Sequence, residues 1–271
     1  EYAFSIGVFI LAWHLYVRLN DVPEYILPSP DKVWVSFVDL FRTGTVWPHL
    51  WATTYEVILG FIIGSLIGMV LGYLFTKVEP VKPALLPYLI FLQTAPKIAL
   101  VPLFVVWFGI GVVSKIILII TMVVFPVLSG MMLGLESIPT DVRNLMKVLK
   151  ATKWQVFSLV EIQYSLPSLF SSFKIGIVQA VIGAIVAEWM SGKQGLGYIL
   201  TYASSTYEVS MLLAGIVLTI IPVSYTHLRA HETPEHLVCR LLLEKKKTPK
   251  HNNTQSPILL PPPLNPRLSL L

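Results

Sequence analysis

The feature that most constrains this chain is a series of apolar runs, each nearly as long as a lipid bilayer is thick. A bilayer core of about 30 Å needs roughly 20 apolar residues per helix, and six runs approach that length. They therefore predict transmembrane α-helices. The runs cover Tyr2–Leu19, Thr53–Phe75, Leu85–Phe108, Ser114–Leu133 and Pro167–Met190, and a sixth starts near Val209.

Composition supports a protein that resides in lipid. Hydrophobic residues make up 55% of the chain and charged residues only 13%, whereas soluble domains carry about 25% charged residues. The mean hydropathy is +0.71. The predicted fold class is therefore all-α, a polytopic membrane protein with about six transmembrane helices.

The end of the chain differs from the rest in composition, being rich in histidine and proline. VSYTHLRAHET at Val223–Thr233 resembles a translated adapter from sequencing-library preparation, and LVCRLLLEKKK at Leu237–Lys247 resembles a primer running into A-rich sequence. We expect residues 1–222 to form the transmembrane domain, with both natural ends missing, and residues 223–271 to be a disordered, non-native tail. A metal-binding histidine cluster or a regulatory tail is the alternative interpretation.

Basic residues predict the orientation of the helices, because Lys and Arg in short loops prefer the cytoplasm. The second and fourth runs are followed by loops rich in Lys and Arg, so these loops and the N-terminus are expected to be cytoplasmic. The cytoplasmic set is Lys77, Lys82, Arg143, Lys147, Lys150 and Lys153, and the outer set is Lys32, Arg42, Lys115 and Lys193.

Four glycines of the second run, Gly60, Gly64, Gly68 and Gly72, recur at a constant spacing of four. They share one helical face, and such small-residue faces allow another backbone to approach closely in lipid. We expect this face to pack against a neighbouring helix.

Four polar residues inside the apolar runs are candidates for the substrate path. A charged side chain at mid-helix costs about 2.5 to 3.5 kcal/mol on insertion scales, so its presence suggests a function. The simpler interpretation is that the glutamates reach interfacial water and the lysine snorkels or pairs with an acid. The candidates are Lys97, which follows the helix-breaking Pro96, and Gln179, Glu188 and Glu56.

The segment Glu136–Leu166 is too polar to span a membrane and is predicted to form two helices. In the first helix, Val142, Leu145, Met146 and Leu149 follow the spacing of an amphipathic apolar face. Thr152 and Gln155 have the spacing of a capping box, which starts the second helix. A helix pair of this kind can dock into another protein.

Several strings resemble the permease family of ABC importers, in the branch for nitrate, taurine, alkanesulfonates and vitamin precursors. They are ILPSPDKVW at Ile26–Trp34, PKIALVPLFVVWFGIG at Pro96–Gly111, SKIILI at Ser114–Ile119 and AVIGAIVAEWMSGKQGLGYIL at Ala180–Leu200. The family's loop motif, E-A-A-x-x-x-G, aligns here without gaps but with divergent residues. Asn144, Leu145 and Met146 stand at the E-A-A positions, and Lys150 stands at the glycine.

The resemblance implies that this loop is a cytoplasmic coupling helix that docks on an ATPase. The implied coupling residues are Asp141, Arg143, Asn144, Leu145, Met146, Lys147, Leu149, Lys150, Ala151 and Gln155. The chain contains no G-x-x-x-x-G-K-[ST] motif, so ATP and Mg²⁺ are expected on the partner and no cofactor on this chain. No catalytic or metal-binding constellation is recognised, so the chain is not expected to be an enzyme.

The resemblance also implies a multi-pass protein of the bacterial plasma membrane. Its expected partners are a second permease copy, the ATPase and an extracytoplasmic solute-binding protein, with no nucleic acid. The strings favour a thiamine-type pyrimidine precursor or riboflavin as substrate, with sulfonate, taurine or nitrate next. An ion-driven secondary transporter or channel is the alternative, and it would call for inverted repeats or an intramembrane carboxylate pair. Neither is recognised in the sequence.

Overall fold

The computed structural model describes residues 2–77, 87, 91 and 96–231, and this part of the chain is built from helices. A 3₁₀ turn at Lys97–Leu100 precedes α4, and a π-helical turn at Phe157–Glu161 precedes α8. The α-helices are α1 Tyr2–Leu19, α2 Pro30–Arg42, α3 Val46–Lys77, α4 Val101–Phe108, α5 Val112–Glu136, α6 Thr140–Val148, α7 Lys153–Val156, α8 Ile162–Ser191, α9 Leu196–Ser205 and α10 Val209–His231.

Three helical stretches are long and apolar enough to cross a membrane. They are α3, α5 and the continuous stretch Lys153–Met190, with mean hydropathies of 2.4, 2.6 and 1.9. Shorter apolar helices occupy Phe4–Leu19, Lys97–Phe108 and Val209–Ile221. The all-α polytopic fold is confirmed, although the first half of the predicted third span lies outside the described residues. The last helix passes the predicted boundary at residue 222 and reaches His231.

The core is formed by α3, α5 and α8, with α5 between the other two. Ile119, Val123 and Val127 of α5 are fully buried, and Ala180 and Ala184 of α8 are fully buried against the same cluster. Helices α3 and α8 also contact each other directly, as the edge-to-face rings of Phe61 and Phe173 show, so the three helices form one packed unit.

Small side chains set the distance between these helices. All four glycines of the predicted face lie against α5, where an added Cβ would come within 2.5 to 2.9 Å of α5 atoms. Gly130 and Gly134 of α5 likewise allow serines of α8 to pack closely against α5. Contacts this close allow dense van der Waals packing, which is the main attraction between helices in lipid.

A second apolar cluster joins the N-terminal end of α3 to α2, α9 and α10. Val46 is fully buried there, and Leu40 and Ile199 are nearly so. The helices α2 and α9 occupy the two segments between the apolar runs, at residues 20–50 and 191–208.

The capping box at Thr152 and Gln155 is present, with both reciprocal hydrogen bonds formed. The prediction of a separate second loop helix is nevertheless wrong. The helix that starts at Lys153 continues through the π-helical turn into α8, which yields one apolar stretch of 38 residues. The turn accommodates one extra residue without breaking the helix, and π-helical turns are frequent at functional sites.

Candidate functional site

The end of the bundle that carries Lys77 and α6 is here called the basic end. The first helix of the predicted loop, α6, lies across it, and Val142 and Met146 pack on the core cluster. Leu145 and Leu149, predicted to share that apolar face, are instead 55% and 65% exposed. For Leu149 the prediction fails because α6 has only nine residues and ends at Val148. Leu145 lies within α6, on a part of the helix that the core does not cover.

Four large apolar side chains are exposed within ten residues of this loop. Val148 is 79% exposed and Trp154 is 72% exposed, and they join Leu145 and Leu149. We call Leu145, Val148, Leu149 and Trp154 the exposed loop residues. Apolar side chains concentrated on a polar loop often mark a protein-binding surface.

The end of α6 is closed by a backbone motif at Lys150, the position where the family pattern has glycine. Lys150 has a φ of 49°, its N–H donates to the carbonyl of Lys147, and the N–H of Ala151 donates to the carbonyl of Met146. This pairing is the Schellman motif, whose left-handed position is usually glycine. The lysine therefore occupies a conformation that glycine adopts without strain.

The other predicted coupling residues have different environments. Arg143 donates through Nη2 to the carbonyl of Leu135, at 2.7 Å, and so caps the end of α5. Gln155 belongs to the capping box, Asp141 lies in the first turn of α6 and Asn144 is exposed. Lys147 lines a cavity behind α6 together with Arg143 and Ala151.

The opposite end of the bundle holds a network around Glu188, which is fully buried. Glu188 Oε1 accepts from the Thr53 hydroxyl at 2.6 Å, and Oε2 accepts from the Gly197 N–H at 2.8 Å. The Thr53 oxygen in turn accepts from the Leu196 N–H at 2.9 Å. The network thus fixes α3, α8 and the first turn of α9 to one another.

Two glycines, one just before α9 and one in its first turn, allow the backbone to approach Glu188 closely. Gly195 has a φ of 119°, and an added Cβ would lie 2.1 Å from the carboxyl carbon of Glu188. Its N–H donates to Nδ1 of His49 at 3.0 Å. At Gly197 an added Cβ would lie 2.3 Å from the carbonyl oxygen of Ile185. Glycine is needed at both positions because a side chain would displace the carboxylate or the backbone.

A buried ion pair lies in the same region. Lys115 donates to Oε1 of Glu56, and the two residues are 4% and 1% exposed. Glu56 Oε2 is buried and has no hydrogen-bond partner within the described part of the chain. The charges of Glu56, Lys115 and Glu188 act on one another, so the cluster carries a net charge of −1 when all three groups are ionised.

These positions correct three expectations. Lys115 is not an outer-loop residue, because α5 begins at Val112 and places it inside the bundle. Neither Glu56 nor Glu188 reaches interfacial water, since both are enclosed by neighbouring helices. The structure also brings two intramembrane carboxyl groups together, although the sequence revealed no such pair.

Beside the ion pair lies a cavity of about 540 Å³. Its wall includes the rings of Trp51 and Tyr55, the buried pair Glu56 and Lys115, and Lys193 from the loop after α8. A cavity of this size can hold a small organic molecule. Its chemistry offers ring stacking, one carboxylate acceptor and ammonium donors.

The two remaining path candidates are not members of the network. Lys97 Nζ lies 4.8 Å from the centre of the Phe125 ring, a cation–π contact. Gln179 is half-buried on α8, nine residues before Glu188 and thus about 13 Å away along the helix axis. The predicted path residues therefore occupy more than one region.

Sequence reasoning missed Thr53, His49, Lys115 and the backbone donors of the glycine loop. A signal for Lys115 did exist, because a buried glutamate requires a cation from another helix. The string GKQGLG, Gly192–Gly197, was recognised only as a family resemblance. Its glycine spacing reflects the close approach of backbone to carboxylate, which sequence alone does not show.

Comparison with known proteins shows that the chain is similar to components of transport systems. Residues 60–227 match the family model described as "Binding-protein-dependent transport system inner membrane component". The structure is similar to that of the MetNI methionine ABC transporter, with a TM-score of 0.60 and 20% identity over 69% of this chain and 94% of that one. At this identity the likeness concerns the fold alone.

Curated relatives carry related descriptions. A probable ABC transporter permease protein of Haemophilus influenzae is 30% identical over 79% of this chain and 87% of its own length. The riboflavin transport system permease protein RibX of Chloroflexus aurantiacus is 30% identical, covering 78% and 79%. The formylaminopyrimidine transport permease protein ThiX of Halalkalibacterium halodurans is 34% identical, covering 70% and 75%.

Proposed function

The chain belongs to the family of binding-protein-dependent transport system inner membrane components, and from this premise we propose how it works as the permease subunit of an ABC importer. Two copies form a central path, a cytoplasmic ATPase binds at the basic end, and a solute-binding protein delivers substrate to the opposite end. The N-terminus and the basic end face the cytoplasm, in keeping with the preference of Lys and Arg for that side.

The exposed loop residues carry this proposal. Leu145, Val148, Leu149 and Trp154 lie in a polar, lysine-rich segment that would face water. Exposed apolar surface of this kind is unfavourable in water and favourable when a partner covers it. The family implies an ATPase partner, and a groove of that partner would cover these side chains.

The architecture of the basic end would transmit motion from such a partner. Met146 of α6 packs on the α3, α5 and α8 core, and Arg143 holds the end of α5. The stretch that begins at Lys153 runs without interruption to Met190. A displacement of α6 would therefore act directly on α5 and α8.

For substrate we propose a small heteroaromatic solute, a thiamine-type pyrimidine precursor or riboflavin, ahead of sulfonate, taurine or nitrate. The 540 Å³ cavity supports this choice, because Trp51 and Tyr55 offer rings for stacking and Glu56 offers an acceptor for a ring amino group. The descriptions of two relatives, for riboflavin and formylaminopyrimidine, agree with such a ligand. A sulfonate group has no aromatic ring that could stack on Trp51 or Tyr55.

The test is reconstitution of the chain in liposomes with the ATPase encoded nearest to it. We expect ATP hydrolysis to rise when the matching binding protein is added with its ligand, and the ligand to accumulate only when ATP is present. Binding proteins loaded with a pyrimidine, riboflavin, taurine or nitrate are compared. Stimulation by taurine or nitrate alone would contradict the substrate proposal but leave the importer intact.

A matched pair of variants tests the docking surface. Val148→Glu places a charge among the exposed loop residues, and Val35→Glu places the same charge on an exposed valine of α2. A decrease of about 1.4 kcal/mol or more in the free energy of binding to the ATPase makes the association at least tenfold weaker. We expect this loss for Val148→Glu only, and equal association of both variants would refute docking through α6.

The contact between Glu56 and Glu188 keeps an ion-driven secondary transporter as a second candidate. A carboxylate pair inside the membrane is a common carrier of protons. Uptake that persists without ATP and collapses with a protonophore would support this candidate. Uptake that requires ATP and resists the protonophore would support the importer.

A further inference from the structure

The cavity behind α6 has no part in the transport scheme above. It measures about 280 Å³ and lies between α6, the basic ends of α3 and α5, and the π-helical turn before α8. Apolar side chains such as Leu135 and Met146 form part of its wall, and Lys77, Arg143 and Lys147 contribute three basic groups. The volume is small for a whole organic ligand and adequate for a headgroup.

The charges that line the cavity call for an anion. Lys77 is paired with Glu161, and Arg143 uses one nitrogen on the carbonyl of Leu135. Lys147 is exposed and has no ion pair with any residue that the structure describes. Three cations and one carboxylate leave a net charge of +2, and both Arg and Lys bind phosphate through charge-assisted hydrogen bonds.

The buried carboxylate of Glu161 places a second requirement on the ligand, namely a hydrogen-bond donor. The residue is only 6% exposed, its Oε1 accepts from Lys77, and its Oε2 is buried with no hydrogen-bond partner among the described residues. The Tyr73 side chain also interacts with the pair, with its ring centre 5.4 Å from Lys77 Nζ, but Oε2 receives no hydrogen bond of normal geometry from it. A buried carboxylate oxygen without a donor is unfavourable, so the site favours a ligand that brings an N–H next to its phosphate.

We propose that this cavity binds a phosphoethanolamine group, with its phosphate on Arg143 and Lys147 and its ammonium donating to Glu161 Oε2. The position at the end of α3, where a span meets the membrane surface, fits the headgroup of a phosphatidylethanolamine lipid. Basic pockets between helices at this depth are known sites for lipid headgroups. An occupied site would hold α6 against α3 and α8, and so would stabilise the surface proposed to bind the ATPase.

Methylation of the headgroup gives a sharp test. The purified full-length chain is titrated in detergent with short-chain phosphatidylethanolamine, phosphatidylcholine and phosphatidylglycerol, and apparent Kd values are taken from thermal shifts. A hydrogen bond to a charged group contributes about 1.5 to 3 kcal/mol, so we expect roughly tenfold or weaker binding of phosphatidylcholine, which has no N–H. Phosphatidylglycerol offers the phosphate to Arg143 and Lys147 without an N–H for Glu161, so it tests the two contacts separately. Binding as tight as that of phosphatidylethanolamine would refute the ammonium contact.

Two lysine variants locate the site. Lys147→Gln removes a cavity cation, whereas Lys153→Gln removes an exposed lysine of the same segment that does not line the cavity. We expect Lys147→Gln to weaken phosphatidylethanolamine binding about tenfold or more and Lys153→Gln to leave it unchanged. Glu161→Gln should abolish the preference over phosphatidylcholine. Equal binding of the two lipids by the unaltered chain, or equal losses in both lysine variants, would overturn the proposal.

Soluble phosphoethanolamine identifies the source of the group. An apparent Kd equal to that of the lipid would assign the site to the free compound, and much weaker binding would assign it to the membrane. The inference rests on the proposed function only for its effect on ATPase docking. Binding is measured without ATPase or substrate, so a failed uptake assay and a failed lipid titration are separate outcomes.

Discussion

At the scale of single residues, the charged groups buried inside the bundle have hydrogen-bond or ion-pair partners that offset the cost of their burial. Glu188 receives a donor on each carboxylate oxygen, from Thr53 and from the Gly197 N–H. Lys115 and Glu56 neutralise each other where both side chains are almost entirely buried. Removing one partner from such a network leaves the other buried and unsatisfied, which costs more than the bond itself contributed.

Thr53→Val is therefore expected to destabilise the protein. The change keeps the side-chain shape but leaves Glu188 Oε1 and the Leu196 N–H without a partner. At about 1 to 3 kcal/mol for each unsatisfied group, the midpoint of thermal unfolding should fall clearly. Thr206→Val is the control, because that hydroxyl is exposed and bonds only to backbone carbonyls of its own helix end. Equal midpoints for the two variants would show that the network contributes no stability.

Lys150 gives a prediction of the opposite sign. Its left-handed conformation costs a residue with a side chain about 1 to 2 kcal/mol, a strain that glycine avoids. Glycine offsets part of this gain because it has more conformational freedom to lose from the unfolded chain. Lys150→Gly should raise the thermal midpoint slightly, by the equivalent of about 0.5 to 1 kcal/mol. Lys150→Val should lower it, because a β-branched residue is strongly disfavoured at positive φ. A stabilising valine would rule out strain at this position.

At the scale of helices, the contact between α3 and α5 is the closest in the core. Gly60, Gly64, Gly68 and Gly72 form one stripe along α3, each against a residue or carbonyl of α5. On the other side of α5, Gly130 and Gly134 admit serines of α8. Small residues on both sides let the two neighbours approach α5, which explains its deep burial.

Replacement of Gly64 by leucine should separate α3 from α5. A Cβ at this position would already lie 2.9 Å from Val123 and 3.3 Å from the backbone of Ile120, so a full side chain cannot fit. Overpacking of this kind typically costs about 1 to 3 kcal/mol or more. We expect Gly64→Leu to reduce the yield of monodisperse protein on size-exclusion chromatography.

Val70→Leu serves as the comparison, since Val70 lies on the same helix and is 57% exposed. It adds a methylene on the outer surface of α3, where nothing in the described structure encloses it. The two variants have similar hydrophobicity and differ in location. Normal assembly of Gly64→Leu would show that the glycine stripe is not a packing surface.

At the scale of the whole molecule, apolar surface is exposed along most of the bundle. In α1, Phe4, Phe9 and Leu19 are 77%, 68% and 79% exposed, and only its last turns approach α2. In lipid such a surface carries no penalty, because the surrounding acyl chains are equally apolar. The same residues are free to contact lipid or a second copy of the chain.

The last residues of the chain give a prediction at this scale. Residues 223–271 were predicted to be a non-native tail, and we propose that the part beyond α10, residues 232–271, contributes nothing to transport. The adapter-like string at Leu237–Lys247 lies in that part. A chain that stops after His231 keeps all of α10 and should show the same ATP-dependent uptake in liposomes as the full chain. A loss of uptake would give the tail a function and contradict its foreign origin.

Sequence by itself determined the membrane environment, the all-α class and the limits of most apolar helices. These follow from local physics, since lipid demands long apolar segments with internally satisfied backbones. The starts of α1 and α10, the capping box at Thr152 and the stripe from Gly60 to Gly72 were all readable from composition and spacing. The loop motif likewise pointed to α6 through its alignment with a known family.

Only the tertiary structure decided which groups meet. Glu56 and Lys115 are 59 positions apart, and Thr53 and Glu188 are 135 apart, so no local pattern links them. Leu145 and Leu149 were predicted on the buried face, but α6 ends at Val148, one residue before Leu149, and the packing of α6 leaves Leu145 exposed. Pairing across a bundle depends on how helices pack and rotate against one another, and that arrangement exists only once the whole chain has folded.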